Sequence, residues 1–231
     1  MAYSLLAKRA KLIEKNSKFK SKLPSLVFMT DCIKIDNVFS VVRSLPPNTL
    51  IIIRDYNIKN RKQYSQKIIK IAQRRGNKIL IAKDFEMAKD LGANGVHLPE
   101  HIAYKAKKIK KYNSNLIVTT SAHNKKSIKE SNLLPVDAVF LSPIFRTTSH
   151  NKTKNKGLCF LRNMQRLSTK PIFALGGVNV KNTLSLRNCG IKGFASIDAF
   201  KQSWWYFYNI NILNTLNERL ILFFKLIDKS Y

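Results

Sequence analysis

Apolar residues in this chain fall into short unbroken runs separated by longer, Lys-rich stretches. Eight runs stand out: Ser25–Met29, Leu50–Ile53, Lys78–Ile81, Gly95–Leu98, Leu116–Thr119, Ala138–Leu141, Pro171–Leu175 and Gly193–Ile197. Most are continuous rather than alternating, which is the signature of strands buried on both faces. Between them, stretches such as Arg61–Arg75, Phe85–Leu91 and Lys125–Asn132 read as helices. Strand–helix alternation at this count predicts an α/β fold with a parallel sheet, open or closed into a barrel. Several runs lead directly into small or polar residues: Leu98 into Pro99, Leu141 into Ser142 and Pro143, Leu175 into Gly176 and Gly177. In a barrel these are the C-terminal strand ends, where active sites are built.

A length of 231 residues suits one barrel domain, and 45% hydrophobic residues is too rich for a disordered chain. Residues 1–22 read as a basic leading helix, with Leu5 and Leu6 followed by Lys8, Arg9 and Lys11, expected to cap the bottom of the barrel. The barrel takes 23–231 and includes a final aromatic-rich helix from about 203, with Trp204, Trp205, Tyr206, Phe207 and Tyr208. An exposed part of that helix could serve a homodimer contact. No secretory signal and no long apolar run is present, so nothing is expected to span a membrane. Cys32, Cys159 and Cys189 are far apart and odd in number, which reads as free thiols in a reducing cytoplasm.

Charge changes the picture most. Lys plus Arg is 42 against 13 for Asp plus Glu, a net +29. Such a field draws polyanions of any kind. Lysine is spread over every segment rather than gathered into one stripe, so a solvated basic surface is the favoured reading over nucleic-acid binding, and any such binding is expected to be non-specific. No zinc spacing is present, because His101 and His150 have no partners at ligand distance in sequence.

Four segments in order carry a family likeness. They are Leu91-Gly-Ala-Asn-Gly-Val-His-Leu98, Thr120-Ser-Ala-His123, Leu141-Ser-Pro-Ile-Phe-Arg-Thr-Thr148 and Pro171-Ile-Phe-Ala-Leu-Gly-Gly-Val178. Together they resemble thiamine phosphate synthase and its relative, the thiazole tautomerase. The likeness covers about residues 25–200 and implies a single (β/α)8 TIM barrel that handles a small-molecule thiamine precursor. Synthase chemistry in that family joins a hydroxymethylpyrimidine diphosphate to a thiazole phosphate, with Mg²⁺ held by carboxylates and cations on the departing pyrophosphate.

Residue by residue, the resemblance is incomplete. Arg54 is retained, but Ile52 and Tyr56 replace a Gln and a Lys beside it. Ala82 and Lys83 stand where an Asn-Asp pair supplies a metal carboxylate, with Asp84 one position late. Ile102 replaces a second carboxylate, though Glu100 is near. Asp198 stands where a Ser meets the thiazole phosphate, and a carboxylate repels a phosphate dianion. The resemblance therefore implies no assured metal or cofactor. It does imply a substrate-binding set of Arg54, Ser121, Thr147, Ser149, Gly176, Gly177 and Ile197, with His123 as the candidate catalytic residue. An imidazole can both take and give a proton near neutral pH, as a tautomerase requires. His97, inside a strand, reads as structural. Three functions stay open: a synthase-like transferase or tautomerase-like isomerase, an inactive barrel that binds a small anion or a protein partner, and a non-specific nucleic-acid binder.

Overall fold

The computed structural model describes residues 3–147 and 155–201. Ser149 and the aromatic-rich helix expected from about 203 lie outside the described residues. The chain divides into a unit of Met1–Phe200 and a unit of Lys201–Tyr231.

Eight parallel strands close into a barrel in sequence order, and β8 returns to pair with β1. They are β1 (Leu26–Met29), β2 (Leu50–Ile53), β3 (Lys78–Ala82), β4 (Gly95–Leu98), β5 (Ile117–Ala122), β6 (Ala138–Leu141), β7 (Ile172–Ala174) and β8 (Gly193–Ser196). The seam is ordinary parallel pairing, with Leu26 opposite Phe194 and Phe28 opposite Ser196. Four of the eight strands, such as Leu-Ile-Ile-Ile at β2, are buried at every residue and wholly apolar, as the unbroken runs predict. The helices are α1 (Ser4–Lys15), α2 (Val38–Ser44), α3 (Arg61–Gln73), α4 (Phe85–Asp90), α5 (Ala106–Tyr112), α6 (Lys125–Asn132) and α7 (Gly157–Leu167). Side-chain caps start three of them: Asn37 on Ser40 N–H, Asp84 on Met87 N–H, and Asn124 with Ser127 in a reciprocal capping box on α6.

Two departures from the sequence reading matter for the site. First, β5 runs on to Ala122, so Ser121 is a strand residue rather than part of the following loop. Second, α1 does not cap the bottom of the barrel. It lies along the outer wall against β8, β1 and the 3-10 turn Thr183–Leu186. The reason is local chemistry after β7. Asn179 and Asn182 bond each other's backbone: Asn182 Oδ1 accepts from Asn179 N–H at 2.9 Å, and Asn179 Oδ1 accepts from Asn182 N–H at 3.3 Å. Asparagines that serve the backbone in this way compete with helix formation. A 3-10 turn replaces the α-helix that would follow β7, and the stripe Leu6, Ala10, Ile13 buries itself on the uncovered wall. Near the top of this wall, Tyr3 OH donates to Phe200 O at 3.4 Å. Near its foot, the ammonium of Lys192, 1% exposed, pairs with Glu14 and donates to Ser21 O at 2.7 Å.

Among the described residues no helix is long and apolar enough to cross a membrane. Cys32, Cys159 and Cys189 are free thiols.

Candidate functional site

The C-terminal ends of β2, β6, β7 and β8 converge on a small pocket of about 60 Å³, lined among others by Arg54, Thr147, Gly176, Gly177, Ile197 and Asp198. Five of the predicted binding residues are therefore brought together. The glycine pair is built for this place. Gly176 has φ +87° and Gly177 φ +66°, a left-handed backbone that other residues adopt at a cost. Space forbids a side chain as well. A Cβ on Gly176 would lie 2.8 Å from Pro143 Cα, and one on Gly177 only 2.2 Å from Arg146 O. The β6 and β7 loops are locked together here, with Ile144 N–H donating to Leu175 O and Phe145 N–H to Gly176 O, both at 3.0 Å. The pair thus has a packing role of its own. Asn182 Nδ2 donates to Gly177 O at 2.8 Å and fixes the far side of the turn. Among the described residues the N–H groups of Gly176 and Gly177 have no acceptor. Two such groups in a left-handed turn form a concavity suited to an oxyanion. Both signs of charge face this pocket, since Arg54 and Asp198 line it together.

Ser121 and His123 do not line that pocket. They line a separate, larger groove of about 770 Å³ that also meets Glu100, Tyr104, Leu133 and Leu134. Strand parity explains Ser121: as part of β5 it is turned to His97 of β4, whose Nε2 lies 3.0 Å from Ser121 Oγ. His123 is exposed, and its Nδ1 lies 3.1 Å from Ser142 O and 3.2 Å from Ser142 Oγ. Ser142 lines the small pocket, so His123 and Ser142 form the wall between the two. A proton on Nδ1, donated to the Ser142 carbonyl, leaves Nε2 as the basic nitrogen.

His97 is the residue whose importance the sequence understated. Its ring is buried, bonded by Nδ1 to Thr119 Oγ1 at 2.9 Å and by Nε2 to Ser121, with the edge of Phe140 at 5.1 Å. Burial pushes its pKa down to about 3, and the Arg54 charge adds to this. It is a neutral imidazole with one donor and one acceptor, holding two hydroxyls in fixed roles. A histidine interrupting the apolar run Gly-Val-His-Leu was the available signal. Around Arg54, the buried Asp55 ties β1 to β2. It accepts from Thr30 OH, from Cys32 N–H at 2.7 Å and from Tyr64 OH at 3.2 Å. Burial and then Asp55 raise the Tyr64 phenol, and the same pair raises the Cys32 thiol.

Lys83 and Asp84 stand at and beside the position where the resemblance implies a Mg²⁺ carboxylate. Asp84, the nearest carboxylate to the expected position, caps α4 through Met87 N–H at 2.9 Å and faces Arg61 at 3.7 Å. Lys83 occupies the expected position itself, in a left-handed backbone with φ 70°. Among the described residues no three His, Cys, Asp or Glu side chains converge.

Comparison with known proteins agrees with this architecture. The family model described as thiamine monophosphate synthase matches residues 26–200. The chain belongs to this family. Among its relatives, the protein named putative thiamine-phosphate synthase 2 of Aquifex aeolicus (strain VF5) is 29% identical over 184 residues, covering 78% of this chain and 98% of that one. A thiamine-phosphate synthase of Methanococcus maripaludis (strain C6) is 28% identical over 185 residues, covering 79% and 88%. Among solved structures, thiamine phosphate pyrophosphorylase from Pyrococcus furiosus superposes with TM-score 0.65 at 21% identity, over 77% of this chain and 91% of that one, a likeness of fold.

Proposed function

We propose that this member of the thiamine monophosphate synthase family binds a thiazole or pyrimidine precursor of thiamine through its anionic group, without efficient Mg²⁺-dependent synthase turnover. One observation carries the reading: the Gly176–Gly177 turn, with two N–H groups that have no acceptor among the described residues, opens on a pocket shared by Arg54 and Thr147. A pocket of about 60 Å³ suits the anionic head of such a ligand rather than its rings. Asp198 in the same wall disfavours a full dianion, so a carboxylate or another monoanionic head is the better fit. Engagement of Asp84 by Arg61 and its own helix, with Lys83 beside it, supports a degenerate metal site.

The test is a turnover and binding assay with hydroxymethylpyrimidine diphosphate and thiazole phosphate, with and without Mg²⁺. Expected is saturable binding of at least one precursor and no thiamine phosphate formed at an enzyme-like rate. Robust Mg²⁺-dependent turnover overturns it. A tautomerase-like role has one observation in its favour: His123 Nδ1 is placed on Ser142 O, which leaves Nε2 to move a proton.

A further inference from the structure

Basic residues dispersed along this chain are gathered in space at one place. Arg43 of α2 and Lys67, Lys70 and Arg74 of α3 line a groove of about 410 Å³ between the two helices, together with Phe39 and Ile71. Helical spacing accounts for this. Positions 67, 70, 71 and 74 fall on one face of α3, as i, i+3, i+4 and i+7 do, and Phe39 and Arg43 are one turn apart on α2. Arg75 clamps the ends of the two helices, its Nε donating to Leu45 O at 3.0 Å. The floor is held as well. Phe39 and Ile71 are half-buried against the core, and the Phe39 ring meets the edge of Tyr64 at 5.3 Å.

The four cations are uncompensated. All are exposed, and among the described residues none has a hydrogen-bond or ion-pair partner. No carboxylate lines the groove. Elsewhere the chain brings its scarce carboxylates to its cations: Glu14 to Lys192, Asp84 to Arg61, Asp90 to Lys62 and Asp137 to Lys110. Even the lysine cluster on α6 includes Glu130, paired with Lys126. Like charges along a concave, low-dielectric wall focus a positive field that only a polyanion relieves. Lys67 to Arg74 spans about 10 Å of helix. A nucleic-acid strand presents about three phosphates over that length. The recessed ring selects among polyanions. An unpaired base can stack on an aromatic side chain below a rim of cations, whereas a carboxylate side chain gains nothing from it. A bilayer takes apolar residues that protrude, not ones that lie beneath the charges.

We propose that the α2–α3 groove binds single-stranded nucleic acid without sequence preference, with phosphates on Arg43, Lys67, Lys70 and Arg74 and a base on Phe39. The surface lies between helices on the outside of the barrel and shares no residue with the glycine pocket.

The test uses the intact chain and a fluorescent oligothymidylate of about twelve nucleotides, followed by anisotropy over a range of salt. Four phosphate contacts on a single strand should give a slope of log K against log salt of about −3. Lys67→Gln with Lys70→Gln should weaken binding by about tenfold and make the slope shallower by about 1.4. Lys125→Gln with Lys129→Gln removes the same two charges from α6, where both are exposed, and should stay within about twofold of the parent. An abasic oligomer of equal length should bind at least about fivefold more weakly than the oligothymidylate. Equal losses in the two double variants would mean that the overall charge binds and the groove does not, which overturns the site. An abasic oligomer that binds as tightly overturns the base contact. Polyglutamate or phosphatidylserine vesicles that bind as tightly as the oligothymidylate, and are lost in Lys67→Gln with Lys70→Gln, overturn nucleic acid as the occupant.

Discussion

Replacing Gly177 by alanine tests the geometry of the mouth more sharply than any other single change. The added methyl carbon would sit 2.2 Å from Arg146 O and 2.8 Å from both Phe145 C and Phe145 O. All three are backbone atoms, so no side chain can turn aside to make room. The left-handed φ of +66° adds about 1–2 kcal/mol for any residue with a Cβ. The loop bearing Phe145, Arg146 and Thr147 must therefore retreat, while the β6–β7 pairing of Val139 with Ile172 and Leu141 with Ala174 lies below the clash. A total cost on the order of 1–3 kcal/mol follows, a fall in melting temperature of several degrees without loss of the barrel. Ligand affinity should suffer more. Retreat of the loop carries Thr147 from the pocket and spoils the aim of the glycine N–H groups. Loss of one hydrogen bond to a charged group is worth about 1.5–3 kcal/mol, tenfold or more in Kd. Calorimetric titration with inorganic phosphate, alongside a thermal melt, reads both quantities. A Gly177→Ala protein that melts with the parent and binds with parental affinity would show that the two loops do not meet as described.

Three further outcomes follow from other parts of the molecule. His97 titrates near 6.5 when unfolded and at about 3 when folded, so its contribution is complete above pH 6.5 and is lost as pH falls from there toward 3; urea unfolding of the parent should lose about 2 kcal/mol more between pH 7 and pH 5 than that of His97→Gln, and equal losses would contradict its burial. Glu14→Ala strands the buried Lys192 ammonium with only Ser21 O; because the Glu14 side chain is 40% exposed and water can partly replace it, a loss of about 2 kcal/mol is expected by denaturant titration, and a neutral result would mean that α1 is not docked. His123→Ala should leave precursor binding within a few-fold of the parent and abolish any measured tautomerase activity; retained activity ends its proton-transfer role.

The barrel was legible because its signal is local. A strand buried on both faces must be a continuous apolar run, and β2 and β6 are that and nothing else. The mouth was partly legible, since Arg54, Thr147, Gly176 and Gly177 each follow or end such a run. What the sequence hid are facts about neighbours distant along the chain. Ser121 looked like a loop residue beside Thr147. One more turn of the pleat kept it in β5, facing His97, and put it in the other cavity. The glycine pair suggested an anion site, but only the approach of Pro143 and Arg146 shows that packing alone would exclude a side chain there. For α1, an amphipathic stripe announces that a helix will be buried, not on which wall. That was settled by asparagine chemistry more than 150 residues away.

The docking of α1 on β8 and β1 also orders events in time. The helix is made long before its platform, and the contact of Tyr3 with Phe200 spans 197 residues of chain. Until β8 pairs with β1, the stripe Leu6, Ala10, Ile13 has no wall, and Lys192 has no carboxylate. Closure of this loop is the most distant contact the barrel must make, and such contacts slow folding. A nascent chain halted before β8 would present a greasy, cationic helix and an open sheet edge to the cell, a species for chaperones rather than a half-finished barrel.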